Sequence, residues 1–199
     1  MPRPASAAAR KRPAANPAHG DTAVMTSRPQ LLGIYLNDHL AGAAAGVELF
    51  RRAARVHRGT ALGPPLASIA LEVTQDRESL RRIMAALDLP VKRHRIALGR
   101  LAEKAGRLKL NGRVLSRSPL SDVLELEAMR LGVEGKACAW RSLEALAGTD
   151  ARIDVAHVRD LLRRAERQIQ VLETLRVERA AEVFTADGVG AGSDPPNRR

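Results

Sequence analysis

Residues 30–57 read Gln-Leu-Leu-Gly-Ile-Tyr-Leu-Asn-Asp-His-Leu-Ala-Gly-Ala-Ala-Ala-Gly-Val-Glu-Leu-Phe-Arg-Arg-Ala-Ala-Arg-Val-His. Within them Leu32, Leu36, Leu40, Ala43, Val47, Phe50 and Ala54 recur at spacings of three and four. That is the helical period, and it lays down one apolar stripe that must be buried against other helices. The stretch therefore predicts a long first helix from about Gln30 to His57. Gly59 and Gly63-Pro64-Pro65 end it and open the next, since Gly suits a helix exit and Pro a first turn. The second helix is expected from about Pro65 to Leu87. Ile69, Val73, Leu80, Ile83 and Leu87 face inward, and Pro90 stops it.

The same grammar repeats downstream. Ser118 can cap and Pro119 fits the first turn of a third helix ending near Ala147. Gly148-Thr149-Asp150 then turns the chain into a fourth, from about Ile153 to Thr185. The short links make two antiparallel hairpins. Residues 91–117 join them and are long enough to bring the third helix parallel to the second. Within this link Val91 to Gly106 reads as an extra short helix, with Leu98, Leu101, Ala105 and Leu108 on one face. Lys109 to Arg117 reads as an extended loop around Asn111-Gly112.

Composition agrees with an all-α fold. Apolar residues make up 45% of 199, but aromatics only 2%, so the core must be built from Leu, Ile, Val and Ala. Such a core favours helix on helix. The bundle is expected over 29–186, with disordered tails at 1–28 and 187–199 that have little to bury. Met25 lies just before the first periodic segment and is an alternative start. The beginning of the chain lacks a secretory apolar region, and no apolar run reaches the roughly 20 residues needed to span a bilayer. The lone cysteine, Cys138, excludes an internal disulfide. Together these features point to a cytoplasmic protein. Cys138 sits between Ala137 and Ala139, which predicts a small buried hydrophobe rather than a nucleophile.

The net charge of +11 is unevenly spread. Arg3, Arg10, Lys11, Arg12 and Arg28 oppose only Asp21 in the first tail. Residues 91–117 hold Lys92, Arg93, Arg95, Arg100, Lys104, Arg107, Lys109, Arg113 and Arg117 against Glu103 alone, so the helices are close to neutral. Cations around a Leu stripe suit a solvated connector. They equally suit a surface for nucleic acid or an anionic membrane, with Arg93, Arg95, Arg100, Lys104 and Arg107 as the contacts. No aromatic is present there to stack on bases.

Two further stretches, Glu72-Val73-Thr74-Gln75 and Ala165-Glu166-Arg167-Gln168, have the spacing of a Glu-x-x-His segment with an amide in place of the imidazole. Tyr35-Leu36-Asn37-Asp38-His39-Leu40, residues 72–90 ending in Leu89-Pro90, and Gln168 to Thr174 resemble helices of the ferritin-like superfamily, bacterioferritins in particular. The resemblance covers all four helices in order. It implies a ferritin-like four-helix bundle with one long crossover.

It also implies where a di-iron centre would sit. Such a centre takes a Glu from each of two helices and a Glu-x-x-His from each of the other two. Carried onto this chain, the first-helix Glu falls on Ala43 and the second-helix pair on Glu72 and Gln75. The third-helix Glu falls near Gly132, and the fourth-helix pair on Ala165 and Gln168. A family tyrosine of the first helix falls on Phe50. Only Glu72 keeps a ligand type, and neutral amides ligate weakly and compensate no charge. The expectation is a bundle without metal, cofactor or catalytic residues, acting as a structural or interaction protein for a protein partner or a second copy.

The rival expectation is a metal-dependent oxidase or iron-storage relative with displaced ligands, for which His39, Glu72 and Asp76 are the candidates. Glu72, Gln75 and Gln168 are otherwise expected to form a buried polar network that cross-links helices in place of the metal. The small-residue run Ala41-Gly42-Ala43-Ala44-Ala45-Gly46 predicts close helix packing, with a cavity as the alternative. Each Gly there costs about 1 kcal/mol of helix propensity relative to Ala.

Overall fold

A computed structural model of the chain describes residues 27–92 and 119–185. The described residues form four helices: α1 (Arg28–Val56), α2 (Gly63–Ala86), α3 (Pro119–Ala147) and α4 (Val155–Thr185). Among the described residues there is no strand. Among the described residues no helix is long and apolar enough to cross a membrane. Residues 1–26, 93–118 and 186–199 lie outside the described residues, and with them nearly all of both expected tails and most of the expected crossover helix and loop; Arg28, expected at the end of the first tail, instead opens α1. Val91 and Lys92 are described and are not helical.

Local chemistry sets each boundary. Ser27 and Gln30 form a capping box at the start of α1, with the Ser27 N–H donating to Gln30 Oε1 at 2.9 Å. The α1–α2 turn depends on Gly63. A Cβ there would lie 2.4 Å from the His57 carbonyl oxygen, so only glycine fits without moving the turn. At the end of α2, the Asp88 N–H donates to the Ala85 carbonyl and the Leu89 N–H to the Met84 carbonyl. Asp88 adopts φ 55°, the left-handed conformation this termination requires. α4 begins two residues later than the sequence suggests. Asp154 is its cap, accepting the His157 N–H at 3.1 Å. Ile153, expected as the first helical residue, instead lies ahead of the cap and is buried near the start of the core stripe.

Side-chain bridges fix the helix directions. Arg52 donates to Glu125 at 2.7 Å, and Tyr35 meets Ser142 at 3.2 Å, so α1 and α3 run antiparallel. Arg152 reaches Asp88 at 3.1 Å, and Gln168 reaches Glu72 at 2.6 Å, so α2 and α4 do likewise. Both hairpins being antiparallel, α2 and α3 run parallel. The packed pairs are α1–α2, α3–α4, α1–α3 and α2–α4, with the hairpin pairs the most intimate.

The core is aliphatic, as the composition requires. Leu36, Val47, Phe50 and Ala53 of α1 meet Leu66, Ile69, Val73, Leu80 and Met84 of α2 within one cluster. Leu126, Met129, Trp140 and Leu143 of α3 and Val158, Leu161, Ala165 and Leu172 of α4 complete it. Asn37, also buried, anchors the exit of α2. Its amide donates to the Gly33 and Pro90 carbonyls at 2.7 and 3.1 Å, and its Oδ1 accepts the Lys92 N–H at 2.7 Å. The chain therefore leaves α2 pinned to α1.

Candidate functional site

At mid-bundle the aliphatic core is interrupted by charge. Asp76 of α2 is 1% exposed and Gln168 of α4 is 2% exposed. Lys136 of α3 joins them. Its Nζ donates to Asp76 Oδ2 and to Gln168 Oε1, both at 2.5 Å. The Gln168 amide nitrogen then donates to Glu72 Oε2 at 2.6 Å. Arg164 lies on the other side of Asp76, with Nη2 2.5 Å from Oδ1 in an ion pair that is not aligned as a hydrogen bond. Arg164 also donates to Gln75 Oε1 at 3.1 Å. Two carboxylates and two cations thus balance, and three helices are tied together. Burial pushes the Lys136 ammonium below the ordinary lysine range, and Asp76 opposes that shift by pairing with it.

The structure brings together part of the residue set read from sequence. Glu72 and Gln168 meet directly, as a buried polar cross-link requires. Gln75 does not face inward: it is exposed and is reached only through Arg164. The i+3 residue of Glu72 lies too far round the helix, and Asp76, at i+4, takes the inward position. Ala165 is fully buried in the core and contributes no polar group. Phe50 is core as well. Lys136 and Arg164, which sequence reasoning missed, supply the charge. The five crossover cations Arg93, Arg95, Arg100, Lys104 and Arg107 lie outside the described residues.

Beside the network, the α1–α3 seam opens into a groove of about 590 Å³. Gly42, Ala43 and Gly46 form one wall, Gly132, Gly135 and Ala139 the other, and Val73, Asp76, Arg77 and Leu80 of α2 the floor. A Cβ built on Gly42, Gly46, Gly132 or Gly135 meets nothing within 4 Å. The expectation of close packing at Gly42 and Gly46 is thereby corrected: the small residues leave space instead of bringing backbones together. Ala43 and Gly132, at positions carried over from iron ligands, face each other across this groove rather than entering the ion-pair network.

His39 lies at one end of the groove, its ring 4.5 Å from Tyr35 in an edge-on contact. Burial lowers its pKa, which Asp38 partly offsets. His39 and Asp76 share the groove with Lys136, but among the described residues no group of three or more His, Cys, Asp and Glu converges as a metal site. Cys138 is exposed, not buried as its alanine neighbours suggest, because position 138 falls on the outer face of α3. Farther along the bundle, Asp122 is ion-paired to Arg179 at 2.9 Å, and His57 Nε2 lies 3.5 Å from its Oδ1.

Comparison of the chain with protein-family models, curated proteins and solved structures gives no match in any of the three.

Proposed function

We propose that the chain is a ferritin-like four-helix bundle in which Lys136 stands in for the metal pair, and that it works by binding rather than by redox chemistry. The observation that carries this reading is the position of the Lys136 ammonium, 2.5 Å from both Asp76 and Gln168 at the bundle centre. Two antiparallel hairpins with α2 parallel to α3 support the ferritin-like reading.

The residues do not fit a di-iron centre. Two divalent ions need several carboxylates and an imidazole each. Here the inward carboxylates are Glu72 and Asp76. Asp76 is engaged by two protein cations, and Glu72 accepts an amide. The fourth-helix positions are Ala165 and Gln168. A metal ion entering beside Lys136 would meet a positive charge already in place, with no imidazole among the network residues.

Anaerobic titration with Fe(II) and with Mn(II), followed by desalting and metal analysis, tests the reading. The expected result is no stoichiometric retention of either ion and no oxygen consumption on exposure to air. Retention of two ions per chain would overturn it.

A further inference from the structure

The groove holds more than open space. Arg77 makes no ion pair with any described residue, and its buried Nε has no hydrogen-bond partner. Trp140 is 1% exposed and lines the groove, yet its indole N–H has no acceptor. Both of those atoms are closed to solvent, but the two terminal nitrogens of Arg77 are not, and they too have no partner among the described residues, so the groove is lined by a cation that lacks an acceptor. Lys136, on α3, is a second cation lining the same groove. Of the acids lining the groove, Asp76 is compensated by Lys136 and Arg164, and Asp38 is exposed at one end. The walls between are apolar: Val47, Leu49, Phe50, Met129 and Val133 flank the glycines. The lined stretch runs from Asp38 to Phe50 on α1, about 18 Å at about 1.5 Å per residue. The volume lies in the range of small-molecule pockets.

We propose that the α1–α3 groove binds an elongated apolar molecule with a carboxylate head. The hydrocarbon lies along the glycine-lined walls, and the head accepts from the terminal N–H groups of the Arg77 guanidinium. A carboxylate fits these donors because a guanidinium pairs with it through charge-assisted hydrogen bonds. The inference rests on the reading of the bundle as a binding protein. Its test uses no metal, so failure here and failure in the metal titration are separate results.

Trp140 is the sole tryptophan, so intrinsic fluorescence reports on the groove. The full chain is titrated with dodecanoate, dodecanol and dodecyltrimethylammonium, each below its aggregation threshold. Dodecanoate is expected to shift the emission saturably and to bind about tenfold or more tighter than the other two, the scale of a charge-assisted hydrogen bond. Arg77→Gln should remove that preference while leaving dodecanol binding unchanged. Gly46→Leu fills empty space without a backbone clash. It should abolish binding of all three while circular dichroism and the unfolding midpoint hold or improve. Gly132→Leu gives the same block from the opposite wall and serves if Gly46→Leu fails to fold. Equal affinity for the three amphiphiles, no saturable shift with any of them, or saturable binding that survives a folded groove-filling variant would each overturn the proposal.

Discussion

Replacing Lys136 by Met removes the ammonium but keeps an unbranched side chain of similar length. Its consequence follows from what is left behind. Asp76 is 1% exposed and loses the donor 2.5 Å from Oδ2, while Gln168 loses the donor to Oε1. Breaking a buried ion pair from one side costs about 3–5 kcal/mol, because the remaining charge stays buried without compensation. Arg164 still stands beside Oδ1, and the Lys136 side chain is 16% exposed, so the lower end applies, about 3 kcal/mol. Asp76→Asn alone should cost a similar amount or slightly less, since the cations it strands are partly accessible to water. The double variant leaves no buried carboxylate at position 76. Its loss should fall about 2 kcal/mol short of the sum, within the range of coupling for residues in direct contact. Urea unfolding followed by circular dichroism measures all three. Against a total stability of about 10 kcal/mol these shifts are large. A Lys136→Met variant within about 1 kcal/mol of the parent, or strictly additive losses, would refute the network as a coupled unit.

Glu72→Gln should be tolerated within about 1 kcal/mol, because the new amide oxygen can still accept from Gln168; a loss of several kcal/mol in the same assay would show that Lys136 depends on the Glu72 charge. Gly63→Ala should cost at least about 2 kcal/mol, since its Cβ would press on the His57 carbonyl, and an unchanged midpoint would mean that the turn is soft. Asp150 is held down to about 2 by its hydrogen bonds to Arg152. Its folded value is below its unfolded one, so its contribution is present above the ordinary carboxylate value and is lost as pH falls towards 2. Parent and Asp150→Asn unfolding midpoints should differ at neutral pH and converge near pH 2; a constant gap would contradict this.

Periodicity carried most of the architecture. The stripe through Leu36, Leu40, Val47 and Phe50 is buried as read, and so is that through Ile69, Val73, Leu80, Ile83 and Leu87. Helix ends marked by the Gly63-Pro64-Pro65 run and by Pro90 also fell close to where those residue types place them. These features are local: they depend on spacing and on one residue's backbone preferences. Asp76 was legible in part, because it falls between Val73 and Leu80 on the inward face of the same stripe. An acid at such a position announces a buried partner without naming it.

Lys136 and Arg164 could not be named from sequence, because each flanks its helix's apolar stripe where long cations ordinarily reach solvent. Their burial depends on how α3 and α4 are rotated against α2, and a single-helix pattern does not contain that rotation. The groove has the same origin. A glycine run is compatible with close approach or with empty space, and only the separation of α1 from α3 distinguishes the two. The sequence by itself determined four amphipathic helices and their hairpins, since these are properties of residue identity and spacing. Only the tertiary structure decided that an ammonium fills the centre and that an open groove lies beside it, because both depend on distances between residues more than 30 positions apart.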